Sequence, residues 1–226
     1  MAHVRHEAGA AHPPATAGRL IRQAAAYDSL TSIMLLGRRA RLRQETVALA
    51  SAQPGDHVLE VGCGTGDVAL TAHARVGANG RVVGIDPSPE MIAVAQRKAQ
   101  RLGCPATFQL GVIEALPFPD QHFDVVLSSL MMHHLPGDLK RAGLAEIARV
   151  LKPGGRLVIV DIKPPRSRWG RITNALLMHG HFAGGLDLAP LVRATGFSAV
   201  ETGATCVRML GFVRATRPAE SASTPR

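Results

Sequence analysis

LEVGCGTGDVAL (59–70) sets three glycines, Gly62, Gly64 and Gly66, at alternate positions, with Glu60 before them and Asp67 after them. A short apolar strand running into a glycine turn and then a helical pattern is how an open parallel sheet offers a ligand site beyond its first strand. A dinucleotide-binding turn would read G-x-G-x-x-G. Counted from Gly62, its third glycine belongs at residue 67, which is Asp67. A carboxylate beside a poorly solvated pyrophosphate costs on the order of several kcal/mol. Two carboxylates around a tight turn instead suit a ligand that carries positive charge.

Working outward, the alternation of strand and helix continues on the C-terminal side. Residues 57–62 read as a strand, 67–76 as a helix, 81–86 as a strand and 88–103 as a helix. Ser88 is placed as N-cap of that helix, with Pro89 at its first position and Gly103 ending it. Strands follow at 106–111 and 123–130, and a helix at 138–151 is expected to stop at Pro153-Gly154-Gly155 before a fifth strand at 156–162. Buried apolar strands linked by helices imply right-handed crossovers and a parallel sheet. The end of the chain changes rhythm: a short helix at 186–197, with Gly196 just past it, precedes strand-like segments at 198–205 and 207–216. These predict a closing antiparallel hairpin. The expected fold is α/β, Rossmann-like and doubly wound, with a mostly parallel seven-stranded sheet.

On the N-terminal side, helices are expected between Ile21 and Ala52, broken near Gly37. The divisions read as a disordered leader (1–18), one domain (19–217) and a disordered tail (218–226). Within the domain, 19–52 holds the N-terminal helices and 163–186 a short substrate lid.

Composition narrows the class. Only eight of the 226 residues are aromatic, so Leu, Val, Ile, Ala and Met must build the core. No apolar run approaches the roughly 18 residues of a membrane-spanning helix, and the N-terminus lacks a signal peptide's apolar stretch. Three widely spaced cysteines, Cys63, Cys104 and Cys206, form no zinc-type pair and read as reduced thiols, hence a cytoplasmic protein. Residues 51–162 carry ten Lys/Arg against eleven Asp/Glu, so the formal excess of +9 lies wholly in the flanks. Such an excess fits a solvated face, or a flank meeting an anionic partner such as a membrane surface.

S-adenosylmethionine, with a sulfonium, an ammonium and one carboxylate, has the charge the glycine turn suits. Asp86 ends the second strand twenty residues past Gly66, where a carboxylate can accept both ribose hydroxyls. EVGCGTG (60–66), GIDPSPEM (84–91), ALPFPDQHFDVV (115–126) and RVLKPGGRLVIVD (149–161), taken in order, resemble the motifs of class I S-adenosylmethionine-dependent methyltransferases. The likeness is strongest to the group related to ubiquinone and menaquinone C-methyltransferases, and it covers roughly residues 25–216. It implies that Glu60, Gly62, Gly64 and Gly66 form the cofactor turn and that Asp86 holds the ribose. It further implies that Pro87 and Met91 flank the adenine, that Ile113 offers a backbone N–H, that the Ser128 carbonyl meets the ammonium, and that Tyr27 closes the pocket. This chain departs from the group in two places. Val112 stands where the group has an acid that accepts from the adenine amine, and the lid is shorter than the group's cap, which reads against a quinone with a long prenyl tail.

His133 and His134, in SSLMMHHLPGD (128–138), follow the fourth strand at the cofactor's methyl end and are the candidate bases. His179 and His181 on the lid have no Cys or carboxylate near them in sequence, so no metal site is expected; Trp169 belongs to the same lid. The expected activity is methyl transfer to the O, N, C or S atom of a small molecule. The alternatives are a phospholipid-amine or quinol methyltransferase at a membrane surface and a catalytically inactive cofactor-binding module. No base-flipping motif and few stacking aromatics read against nucleic acid.

Overall fold

The computed structural model describes Thr16, residues 37–163 and residues 187–219. Helix α1 (Arg39–Leu49) leads into an alternating series: β1 (His57–Val61), α2 (Asp67–Val76), β2 (Arg81–Asp86), α3 (Pro89–Leu102), β3 (Thr107–Leu110) and β4 (Phe123–Ser129). A 3-10 turn (Met132–His134), α4 (Gly137–Val150) and β5 (Leu151–Ile162) follow, then α5 (Leu188–Ala194), β6 (Ser198–Ala204) and β7 (Leu210–Thr216). The seven strands form one sheet in the order β3-β2-β1-β4-β5-β7-β6. The first five are parallel, and β7 pairs antiparallel with both β5 and β6. The chain reverses direction across the sheet between β1 and β4, which leaves a crevice at their carboxyl ends.

Adjacent strand residues send their side chains to opposite faces, and both faces are covered. Val58, Val125 and Val158 pack with Val68 and Ala72 of α2 and Ala95 of α3. Their neighbours Leu59, Val126 and Ile159 pack with Leu144 and Ile147 of α4 and Val192 of α5. Burial on both faces explains why these strands read as continuous apolar runs. Truncating a fully buried residue such as Leu59 or Ile159 to Ala costs about 2–5 kcal/mol.

The caps form as the sequence predicts: Ser88 Oγ accepts from Met91 N, and Gly103 adopts φ +59° as α3 ends. Two boundaries differ. Helix α4 ends at Val150, and Leu151 already pairs with Phe123, whereas the next matched pair is Val125 with Arg156. The intervening Pro153-Gly154-Gly155 is a bulge within β5, not a helix stop followed by a loop. The backbone groups of Gly154 and Gly155 are satisfied by hydrogen bonds with Arg217. The last strand starts at Leu210 because residues 206–209 turn, with Leu210 N donating to Val207 O. The helices expected before Gly37, the lid and the tail beyond residue 219 lie outside the described residues. So do Tyr27, Trp169, His179 and His181.

Candidate functional site

The glycine turn is built by two close approaches. Gly62 N and Cys63 N both donate to Ile85 O, at 2.9 Å each, folding the chain sharply over the end of β2. Gly62 takes φ +71°, and a Cβ there would stand 2.3 Å from Met131 Cγ, so only glycine serves. Gly66, the N-cap of α2 at φ +83°, meets a different constraint. A Cβ would lie 2.8 Å from the Phe108 ring and 2.9 Å from Ala95 Cβ. Its role in the structure is to let α2 pack, and it borders neither of the depressions described below.

Two carboxylates are fixed around this turn by main-chain amides. Glu60 is 2% exposed and accepts from Ala69 N at 2.7 Å, tying the first turn of α2 to β1. Burial pushes its carboxyl well above the usual glutamate range, more than that hydrogen bond lowers it, with the charges of Asp67 and Asp86 adding to the rise. Asp86 accepts from Gly64 N and Ser88 N, both at 2.9 Å. Here too burial raises the carboxyl, while the two amides oppose it. Those amides fix the carboxylate's orientation without using all its lone pairs.

The third acid corrects the sequence argument. Asp67 is held by Arg39 at 2.8 Å, Lys98 at 3.0 Å and Arg43 at 3.4 Å. With three cations on one carboxylate, the rim above α2 carries net positive charge. Repulsion by Asp67 is therefore no argument against a pyrophosphate.

Two adjoining depressions open at the carboxyl ends of the strands and share Gly62, Gly64 and Leu130. The first is bordered by Asp86, Pro87, Met91, Val112, Ile113, Glu114, Met131 and His134, and Thr16 also reaches it. The second is bordered by Arg39, Arg43, Glu60, Thr65, Asp67 and Ser129. The fold thus brings together Glu60, Gly62, Gly64, Asp86, Pro87, Met91, Ile113 and His134 of the expected set. Ser128 is fully buried inside the sheet and borders neither depression.

His133 and His134 occupy the 3-10 turn after β4, anchored by the fully buried Met132. Leu130 turns the chain out of the strand at φ +56°. His133 Nδ1 lies 2.6 Å from Asp161 Oδ1, and His133 N donates to Asp161 Oδ2 at 3.0 Å. The pairing fixes the orientation of the His133 ring, with Nδ1 facing the carboxylate. The His134 ring leans on that of His133, centroids 3.9 Å apart, and it is His134 that borders the cleft. Among the described residues no group of three His, Cys, Asp or Glu could hold a metal ion.

Sequence reasoning missed Asp161 and the Arg39–Arg43–Lys98 clamp. Asp161 was findable: β4 and β5 are adjacent parallel strands with Ser129 paired to Val160, so the acid after Val160 must meet the residues after β4. The clamp had no local signal, since its partners lie 24–31 residues from Asp67.

Residues 58–155 match the methyltransferase domain family. Demethylmenaquinone methyltransferase of Symbiobacterium thermophilum is 40% identical over 147 residues, 64% of this chain and 58% of that protein. The 2-phytyl-1,4-naphtoquinone methyltransferase of Synechococcus elongatus is 35% identical over 157 residues, 69% of this chain and 66% of that protein. The chain thus spans less than two thirds of the length of these relatives. Among solved structures, the [4+2]-cyclase SpnF superposes with a TM-score of 0.68 at 21% identity, covering 79% of this chain and 80% of that one. That likeness concerns the fold alone, and a cyclase on this fold means that activity must be argued from the site.

Proposed function

We propose that the chain, whose residues 58–155 match the methyltransferase domain family, transfers a methyl group from S-adenosylmethionine to a quinone-type small molecule. The observation that carries the reading is the meeting of Gly62, Gly64, Asp86 and His134 on one cleft. The residues fit the cofactor's chemistry. Asp86, oriented by two amides, has lone pairs for ribose hydroxyls, with such charge-assisted bonds worth about 1.5–3 kcal/mol each. Glu60 and the glycine turn suit the cationic end, and the basic rim of Arg39, Arg43 and Lys98 suits a carboxylate. Pro87 and Met91 supply apolar wall for the adenine, with Ile113 beside them. When bound, the cofactor supplies a methyl carbon activated by its sulfonium.

The chain's own contribution is to position the acceptor and to move one proton. Orientation in a near-attack geometry can supply about 7–11 kcal/mol of the barrier. His134, on the cleft wall, is placed to take the hydroxyl proton of a reduced quinone as its ring carbon gains the methyl; that carbon then loses its own proton and the hydroxyl is restored, so one proton leaves in all. His133, locked by Asp161, is a positioning residue that fixes the His134 ring against its face. The relatives, both quinone methyltransferases, favour this acceptor class over a phospholipid amine or an inactive module.

Among the described residues no helix is long and apolar enough to cross a membrane. The test is S-adenosylhomocysteine release with reduced naphthoquinols and benzoquinols as acceptors. Release that depends on the reduced acceptor is expected; none with any quinol, despite cofactor binding, would overturn the proposed substrate class.

A further inference from the structure

We infer that Lys140 is a positioning residue: its buried ammonium balances the Asp161 carboxylate, so that the His133 ring beside His134 need not carry charge. This rests on the part proposed above for His134. The starting point is a residue of the wrong type for its place. Helix α4 buries Lys140, Gly143, Leu144, Ile147 and Val150, one face at helical spacing. Four of these five are small or apolar, and the fifth puts an ammonium, 2% exposed, into the stripe that covers the sheet. A buried cation is costly unless an opposite charge answers it, and a stripe built for packing alone would carry Leu or Met there.

The fold brings that cation to the carboxyl ends of β4 and β5. Lys140 N donates to Pro136 O, closing the first turn of α4 directly after the turn that carries His133 and His134. Alternation along β5 puts Leu157, Ile159 and Asp161 on one face, and the first two pack with Leu144 and Ile147 of α4. Asp161 is the acid whose charge acts on Lys140: burial lowers the ammonium, and Asp161 opposes that. The carboxylate already accepts from His133 N and Ile162 N and meets the His133 ring, so the lysine acts on it through space. Ser128, in register with Ile159 on the same face, is also buried and meets no partner among the described residues. Being neutral, it does not account for a cation.

The consequence lies in the balance of charge. Asp161 with a neutral His133 is a buried anion, and the ordinary relief is to protonate the ring. A charged His133 ring, its centroid 3.9 Å from that of His134, would repel the proton that His134 has to take. Lys140 supplies the positive charge from α4 instead, which leaves the stacked pair neutral and His134 able to accept. The other charged groups around the pair do not do this. Lys163 and Asp187, which border a cavity with Asp161, are opposite in sign and offset each other. Asp86 and Glu114 border the cleft with His134 and, as acids, favour positive charge on the rings.

The experiment is ring-nitrogen NMR of the histidines in the full chain over a pH series, without cofactor. The two signals are assigned by their loss in His133→Gln and His134→Gln. In the wild type near neutral pH, His133 should show the separated nitrogen shifts of a neutral imidazole. In Lys140→Met, which keeps the stripe filled, the first protonation of the pair should move up by about one pH unit, because a like charge has gone. Lys140→Arg keeps the charge and should leave that protonation in place. The acid limb of the methyl-transfer rate should move up with the NMR midpoint in Lys140→Met, with the rate regained at higher pH. An unmoved protonation in Lys140→Met, or an imidazolium at His133 in the wild type near neutral pH, overturns the role of Lys140. A moved protonation with no methyl transfer to any quinol upholds the charge balance and overturns the proposed function instead. Should Lys140→Met not fold, the wild-type shifts decide alone.

Discussion

At the rim between β1 and β2, Asp86 is oriented by the main-chain amides of Gly64 and Ser88 and keeps lone pairs for a ligand. At the rim between β4 and β5, Asp161 spends its oxygens on the backbone and ring of His133 and on Ile162 N. One carboxylate is presented outward by the chain itself; the other is turned inward to hold a second side chain. A binding group must stay available, whereas a positioning group must be fully engaged. We therefore propose the first rim for cofactor affinity and the second for the chemical step.

The largest effect should come from removing His134, the proposed base at the second rim. His134→Ala should lower the rate of methyl transfer by about 10²–10⁴ while S-adenosylhomocysteine affinity stays within about threefold. A matching loss of affinity would merge the two rims and break the comparison. At the first rim, Asp86→Ala should weaken cofactor binding by more than about tenfold, read by calorimetry. Unchanged affinity would remove its assignment to the ribose. Asp161→Asn should cost about tenfold in kcat with little change in KM for the cofactor, and it should move the pH–rate profile. A uniform loss without a moved profile would make Asp161 merely structural.

The smallest effect concerns stability and pH. Burial raises the Glu60 carboxyl above its ordinary value of 4.5. Its contribution to folding is therefore fully present below the ordinary range and is lost as pH rises through the raised folded value. Gln keeps the acceptor for Ala69 N without the charge. The thermal midpoint of Glu60→Gln minus that of the wild type should rise with pH above about 4.5 and then level off. A flat difference would mean that Glu60 is not held in the burial described.

The two rims also differ in how far they can be read from sequence. Asp86, Gly62 and Gly64 lie within one strand–turn–helix pattern and the strand after it, and Ser88 with Pro89 marks the next helix by local capping chemistry. Such features are short-range, and periodicity exposes them. Apolar strands alternating with helices made the parallel sheet and its closing hairpin legible too, whereas the order of the strands was not read from the sequence. What escaped depends on pairs that only folding brings together. Asp161 and His133 are 28 residues apart, and Lys98 and Asp67 are 31 apart. Gly66 reads as a ligand glycine because it repeats the spacing of Gly62 and Gly64, but the Phe108 ring from β3 sets its requirement. The start of β5 was misread because Pro153-Gly154-Gly155 is the usual signature of a stop, and here it is a bulge held by Arg217.

The central claim is that the cleft at Gly62, Gly64 and Asp86 holds S-adenosylmethionine and not a dinucleotide. It matters that the basic clamp on Asp67 leaves a pyrophosphate electrostatically admissible. Parallel calorimetric titration of the wild type with S-adenosylhomocysteine and with NAD tests the claim most directly. The account predicts saturable one-to-one binding of S-adenosylhomocysteine, lost in Asp86→Ala, and no heat from NAD beyond dilution. Binding of NAD with none of S-adenosylhomocysteine would contradict it.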